Sequence, residues 1–324
     1  MNGVALMKPF AFVFPGQGSQ SVGMLDGWGA HPQVLAAIAE ASDALHEDIG
    51  LLIKEGPKEA LALTTNTQPV MLVAGVAAYR VWMAEVGVAP AAVAGHSLGE
   101  YSALVASGVL TLSQAAPLVR FRAQAMQQAV PVGVGAMAAI LGMDASKVIA
   151  ICAEVTGAFD QNVSEIVEAV NFNDPGQTVI AGSKAAVDQA CVALKSQGAK
   201  RALLLPVSAP FHSSLMKPAA LKLKDKLDAT ELAAPQIPVI NNIDVAVAQS
   251  PEGIRDALVR QAFGPVRWVE CVQALQARGL SMLVECGPGK VLAGMTKRIA
   301  PEMQGVALFD HASLAEVKST LLEA

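Results

Sequence analysis

Short apolar runs bounded by Gly or Pro alternate along the first third of the chain with longer stretches of helical character. "FAFVFPG" (residues 10–16) is followed by "QPVMLVAGVAAYRVWMAEVG" (68–87), then "AAVAGHS" (91–97), then "LGEYSALVASG" (98–108). Apolar runs of strand length separated by helix-length segments predict a parallel sheet covered by helices. The middle of the chain has a different rhythm. "GAMAAILGM" reads as a strand, "DASKVIAICAEV" as a helix, "EIVEAVNFN" and "TVIAGS" as strands, "KAAVDQACVALKSQG" as a helix and "KRALLLPV" as a strand. That order, βαββαβ, is the order of a ferredoxin-like unit. Pro-containing stretches flank it, "AVPVGVG" near Pro131 and "LPVSAPF" near Pro206, and suit the hinges of an inserted subdomain. The expected organisation is therefore an α/β catalytic domain from residues 1–130 and 206–324, with a ferredoxin-like subdomain, 131–205, set into it. "IPVIN" and "LSMLVECGPG" resume the strand-then-turn pattern after the insert, and no internal repeat is visible.

Composition narrows this picture in three ways. A 324-residue chain that is 53% apolar and 16% charged can bury a large core. Its longest clean apolar run, "VMLVAGVAAY" (70–79), falls well short of the roughly 20 residues that span a bilayer, so it is expected to be a buried helix. The apolar start at residues 9–14 runs directly into "PGQGSQ" without a small-residue cleavage site, which argues against a secretory signal and for the cytoplasm. A formal charge of -5 offers no basic field for nucleic acid. Cys152, Cys191, Cys271 and Cys286 show neither C-x-x-C nor His-paired spacing, so they read as small buried residues and not as a metal site or a disulfide framework.

Candidate chemistry begins at Ser97, held in G-x-S-x-G within "AGHSLGEYSALVASG". The pattern alone arises by chance in roughly one chain of this length in ten, given glycine at about 7%. Its setting between a predicted strand and a predicted helix is that of a nucleophile elbow, with the helix N-terminus presenting free N–H groups to an oxyanion. A serine nucleophile needs a base. His31 and His46 lie in an early polar region and read as solvated, while His96 adjoins the serine and is badly placed for direct proton transfer. His212, in "VSAPFHSSLM", and His311, in "VALFDHASL", are left as equal candidates by spacing alone.

A set of ordered motifs goes further. "FVFPGQGSQ", "GHSLGEYSALVASG", "FRAQAMQQAVP", "VNFNDPGQTVIAG", "APFHSSLM", "PVINN", "FGPVRW" and "ECGPGKVLAGMTKRI" together resemble the malonyl-CoA:acyl carrier protein transacylases, nearly end to end; only "MNGVAL" precedes the matched stretch. The resemblance implies a hydrolase-like large domain with the ferredoxin-like insert, and it implies a ping-pong transfer of malonyl from coenzyme A to the phosphopantetheine thiol of acyl carrier protein. It makes Ser97 the nucleophile and His212 its base. The imidazole is expected to be oriented by the main-chain carbonyl of Gln261 in place of a triad acid, which sets aside Asp244 and Asp310.

The same resemblance makes the N–H groups of Gln17 and Leu98 the oxyanion donors. Arg122 becomes the residue that grips the malonyl carboxylate through paired charge-assisted hydrogen bonds. Arg120, about 200° away around the same helix, is excluded from that role. Phe211 would set extender size, and His96, Asn171, Asn173 and Asn241 would support the site. No cofactor or metal is implied beyond the substrates, malonyl-CoA and the phosphopantetheine-bearing acyl carrier protein, and family habit points to a monomer. Lys290, Lys297 and Arg298 are candidates to meet an acidic carrier near the mouth. The alternatives are a stand-alone acyltransferase serving a polyketide synthase, a serine hydrolase using Ser97 and His311, and a catalytically silent carrier-binding module.

Overall fold

"FAFVF" forms strand β1 (Phe10–Phe14), buried along its whole length in the middle of a parallel sheet. Its alternation divides the core: Phe10, Phe12 and Phe14 point to one face, and the smaller Ala11 and Val13 to the other. On the large-residue face Phe10 and Phe12 meet Trp82 edge-on, with ring centroids 5.5 and 5.6 Å apart. On the other face Ala11 and Val13 join the cluster around Trp268. Each Phe buried in this way contributes on the order of 1.5–3 kcal/mol.

The computed structural model describes residues 7–159, 165–207 and 209–322, so the leading "MNGVAL" lies outside the described residues. After β1 the chain lays down β2 (Ala92–Gly95), then β3 (Gly135–Leu141), β4 (Val167–Asp174), β5 (Gln177–Ser183) and β6 (Arg201–Leu204), and finally β7 (Val239–Ile240), β8 (Met282–Cys286) and β9 (Gln304–Leu308). Two sheets result. One is parallel, in the order β7-β2-β1-β8-β9; the other has the order β4-β5-β3-β6 with every pairing antiparallel. The second sheet carries the βαββαβ connection expected of a ferredoxin-like unit, with helices Ala145–Ala158 and Lys184–Ser196 packed on one of its faces.

The run from Val70 to Ala78 is buried inside the helix Thr64–Glu85, as its composition predicts. Among the described residues no helix is long and apolar enough to cross a membrane. Two backbone bonds tie the second sheet to Val266, just before the helix Trp268–Ala277: Phe172 N–H donates to Val266 O at 2.9 Å, and Val266 N–H donates to Val170 O at 2.8 Å. They sit at a register shift in β4, between Ala169 and Asn171.

Candidate active site

At the end of β2 the backbone turns sharply into the helix Gly99–Ala106, and Ser97 sits on that turn with φ of 53°. A left-handed non-glycine residue is strained and needs surrounding structure to hold it. Gly95 and Gly99 make the turn possible by close approach, because a Cβ on Gly95 would lie 1.9 Å from the Gly99 carbonyl carbon and one on Gly99 would lie 2.0 Å from Phe14 O. Asn242, with no exposed surface, then fastens the turn. Its Oδ1 accepts from Ser97 N–H at 2.7 Å, and its Nδ2 donates to Gly95 O at 2.7 Å.

His212 also has a left-handed backbone, φ of 66°, and its imidazole is 4% exposed. Nδ1 lies 2.8 Å from the main-chain oxygen of Gln261 and Nε2 lies 2.7 Å from Ser97 Oγ. A carbonyl oxygen can only accept, so Nδ1 carries the proton and Nε2 is left to accept from the serine hydroxyl. Burial, and then the nearby Arg122 charge, push the imidazole down to about 3. His212 is therefore neutral, the form a base requires, throughout the physiological range.

Arg122 is 2% exposed and reaches the same serine. Nη2 donates to Ser97 Oγ at 3.2 Å and to Gln261 Oε1 at 3.1 Å, Nη1 donates to Gln68 Oε1 at 2.7 Å, and the guanidinium lies over the Tyr101 ring. Its Nε has no partner among the described residues, and burial lowers its pKa. Glu100 supplies a buried carboxylate to this network. Its Oε2 accepts from Asn242 N–H and from Gln261 Nε2, each at 2.9 Å, and burial raises its pKa to about 7. On the other side of the site Thr64 Oγ1 donates to Gln17 Oε1 at 2.9 Å and accepts from Gln68 Nε2 at 3.3 Å.

These groups open into a cavity of about 130 Å³ whose walls include Gln17, Leu98, Met126, Met137, Leu205 and Phe211. The backbone N–H groups of Gln17 and Leu98 donate to no protein acceptor among the described residues. Asn171, also in the wall, leaves a buried Oδ1 without a partner among the described residues. His96 does not reach the serine hydroxyl. It pairs through Nε2 with Asn173 Oδ1 at 2.8 Å and packs on Trp268, and burial lowers its pKa.

A profile of the acyl transferase domain matches residues 11–310. The chain belongs to the acyl transferase domain family. The malonyl CoA-acyl carrier protein transacylase of Escherichia coli K12 is 51% identical over 310 residues, covering 95% of this chain and 98% of that protein. In structure, this acyl transferase domain is similar to the acyl-carrier-protein S-malonyltransferase of Burkholderia pseudomallei, with a TM-score of 0.93 and 60% identity, covering 96% of this chain and 99% of the other. It is also similar to a malonyl-transacylase solved in complex with a type II PKS acyl-carrier protein, with a TM-score of 0.93 and 50% identity, covering 97% and 100%.

The residues set aside in favour of His212, Gln261 and Arg122 are bonded elsewhere in this acyl transferase domain. His311 is remote from the serine hydroxyl in its bonding, since Nε2 contacts Trp28 O at 3.0 Å and the ring stacks edge-on against Trp28. Asp310 caps the last helix through Ser313 N–H, and Asp244 pairs with Arg260 through both oxygens. Arg120 turns to Glu47 at 2.6 Å. Asn241 is a correction: its Oδ1 closes a local turn onto Asp244 N–H at 2.7 Å, and the neighbouring Asn242 is the asparagine bonded to the elbow. The pair directly follows β7, on the turn that leaves the sheet.

Two further expectations change. His31 is no solvated residue, because it caps the helix Pro32–Leu45 and its side chain is 8% exposed against Glu85. Cys191 is only half-buried, whereas Cys152, Cys271 and Cys286 are buried. Of the basic residues expected at the mouth, Arg298 pairs with Asp174 at 2.8 Å and Lys290 lies over the Phe309 ring. Gln68, Thr64, Glu100 and Asn242 were not singled out by the sequence. A glutamate or glutamine inside an otherwise apolar buried helix is the signal that would have found Gln68 and Glu100. Among the described residues no group of three or more His, Cys, Asp or Glu could hold a metal ion.

Proposed function

We propose that this chain transfers the malonyl group of malonyl-CoA to the phosphopantetheine thiol of acyl carrier protein through a malonyl ester on Ser97. The observation that carries the reading is the pair of contacts on one hydroxyl. Ser97 Oγ lies 2.7 Å from a neutral imidazole nitrogen and 3.2 Å from a buried guanidinium. The first contact makes a nucleophile. The second places a cation within reach of a carboxylate two bonds beyond the carbon that the nucleophile attacks.

In the first half-reaction Oγ attacks the thioester carbonyl as His212 Nε2 takes the serine proton, and the oxyanion forms against the N–H groups of Gln17 and Leu98. Collapse breaks the carbon–sulfur bond, and His212 returns its proton to the departing coenzyme A thiolate. In the second, His212 takes the proton of the carrier thiol, whose sulfur attacks the ester and releases Ser97 with that proton. Gln261 serves both halves, because its carbonyl holds the imidazole tautomer while its side chain steadies Arg122. The malonyl carboxylate takes Arg122 Nη2 and the free Nε as its two donors, which an acetyl group would leave unpaired. Phe211 stands where an α-methyl branch would crowd. The reaction needs no further cofactor, and the insert spanning 131–205 acts as the wall of the acyl chamber. The enzyme works in the cytoplasm, on carriers for fatty acid synthesis.

A second reading, a supplier of a polyketide carrier, is favoured by the likeness to the malonyl-transacylase solved with a type II PKS carrier. Transfer rates to carriers of the two kinds separate the readings. The base is tested by malonyl transfer after His212→Ala and His311→Ala. The first variant loses activity and the second keeps it; full activity in His212→Ala would sink the assignment.

A further inference from the structure

The hydrogen bonds that leave Arg122 on the side away from Ser97 form a chain with one possible polarity. Arginine only donates. Gln68 must therefore present Oε1 to Arg122 Nη1, which lies 2.7 Å away, and this turns its Nε2 toward Thr64 Oγ1 at 3.3 Å. Having accepted there, Thr64 directs its own proton to Gln17 Oε1 at 2.9 Å. Gln68 and Thr64 are each 3% exposed, so water does not compete strongly for these bonds. The side chain of Gln17 thus has its carbonyl end fixed, through two intermediates, by a cation on the far side of the cavity.

Thr64 is the first residue of the helix Thr64–Glu85, where a hydroxyl commonly satisfies a local backbone group; this helix has no side-chain cap at all. The hydroxyl instead joins a residue of that helix to the loop after β1. Gln17 itself is exposed, and among the described residues its loop has one other side-chain tie near it, Gln20 Oε1 accepting from Gly18 N–H at 2.8 Å. A loop with so few internal restraints depends on an outside one for its aim.

We propose that Thr64 is a positioning residue that couples the carboxylate-binding arginine to the oxyanion loop. Its hydroxyl holds Gln17 so that the Gln17 N–H meets the reacting carbonyl oxygen, and it does so best when Arg122 anchors the chain. This rests on the reading of Arg122 and Gln17 given above. The coupling would let a substrate carboxylate influence the oxyanion hole that its own carbonyl uses.

The test follows the acylation of the full-length protein by malonyl-CoA and by acetyl-CoA in Thr64→Val, Thr64→Ser and Gln68→Met, each alone and combined with Arg122→Ala. Thr64→Val keeps the shape and removes the hydroxyl. It should lower the malonyl acylation rate about tenfold, the equivalent of one lost hydrogen bond, with KM changed less than about twofold. Thr64→Ser should restore the rate. Gln68→Met cuts the chain one link earlier and should show the same loss, which keeps the test decisive if the valine variant folds poorly. In the Arg122→Ala background the cost of Thr64→Val should shrink below about threefold, because the chain has lost its root. Wild-type rates in Thr64→Val, equal losses in the valine and serine variants, or an undiminished cost beside Arg122→Ala would each overturn the proposal. A wild-type protein that takes up no malonyl group would overturn the underlying reading of the site instead.

Discussion

The two sheets divide the labour of the molecule unequally. The parallel sheet is buried on both faces, and its strand ends project the elbow that bears Ser97 and the loop that bears Gln17. The antiparallel sheet has one face under two helices and turns the other, with Met137, Val170, Val179 and Ala181, toward Leu205, Val207 and Phe211 at the cavity. A double-sided core can hold a residue at φ of 53° in place, which a single-sided sheet edge would do less well. The groups proposed to react therefore belong to the part of the chain around the first sheet, and the second sheet lines the cavity.

That division can be broken from either side, and the effects should rank accordingly. Loss of the base in His212→Ala should lower malonyl transfer on the order of 10² to 10⁴-fold, measured as carrier malonylation. Arg122→Ala should lower malonyl loading by at least about 10 to 100-fold, the worth of one charge-assisted bond at roughly 1.5–3 kcal/mol, and raise acetyl loading relative to malonyl. An unchanged preference would mean that the carboxylate is held elsewhere. On the wall, Phe211→Ala should alter choice more than rate, raising methylmalonyl over malonyl loading by about 10-fold, within the range one hydrophobic contact can discriminate. A uniform loss with both thioesters would assign Phe211 to packing alone.

The smallest effect concerns the frame of the parallel sheet and its dependence on pH. Glu285 in β8 has no exposed surface; its Oε2 accepts from Ala293 N–H at 2.8 Å, its Oε1 has no partner among the described residues, and burial raises its pKa to about 7. A raised carboxyl binds its proton more tightly folded than unfolded, so the stability it contributes is full below its ordinary value of 4.5 and is lost as pH rises through about 7. Glu285→Gln removes that dependence. The melting temperature of the variant relative to wild type should therefore move in the variant's favour between pH 5 and pH 8; a constant difference would mean that the carboxyl keeps an ordinary pKa.

Much of the frame was legible because it rests on local pattern. Buried runs between Gly and Pro marked β1, β2 and β8, and the βαββαβ order marked the second sheet before any pairing was known. Ser97 was legible for the same reason, since an elbow is a local feature of strand, turn and helix. What spacing could not distinguish were pairs whose difference is long-range. His212 and His311 both follow apolar runs, and only the packing of the Gln261 carbonyl brings one of them to the serine. Asn241 and Asn242 are identical neighbours on the turn after β7, told apart only by their partners, Asp244 N–H for one and the Ser97 elbow for the other. Thr64 and Gln68 were hidden inside a segment whose apolar content drew attention to burial, although a polar pair at the head of a buried helix has to be satisfied by something.

The central claim is that Ser97 carries the malonyl group between two thiols. Its most direct test is the intact mass of the protein after incubation with malonyl-CoA, for the wild type and for Ser97→Ala, followed by addition of the carrier bearing its phosphopantetheine. The account predicts one malonyl adduct on the wild type, none on Ser97→Ala, and transfer of that adduct to the carrier. An adduct that survives Ser97→Ala, or one that the carrier thiol cannot remove, would contradict it.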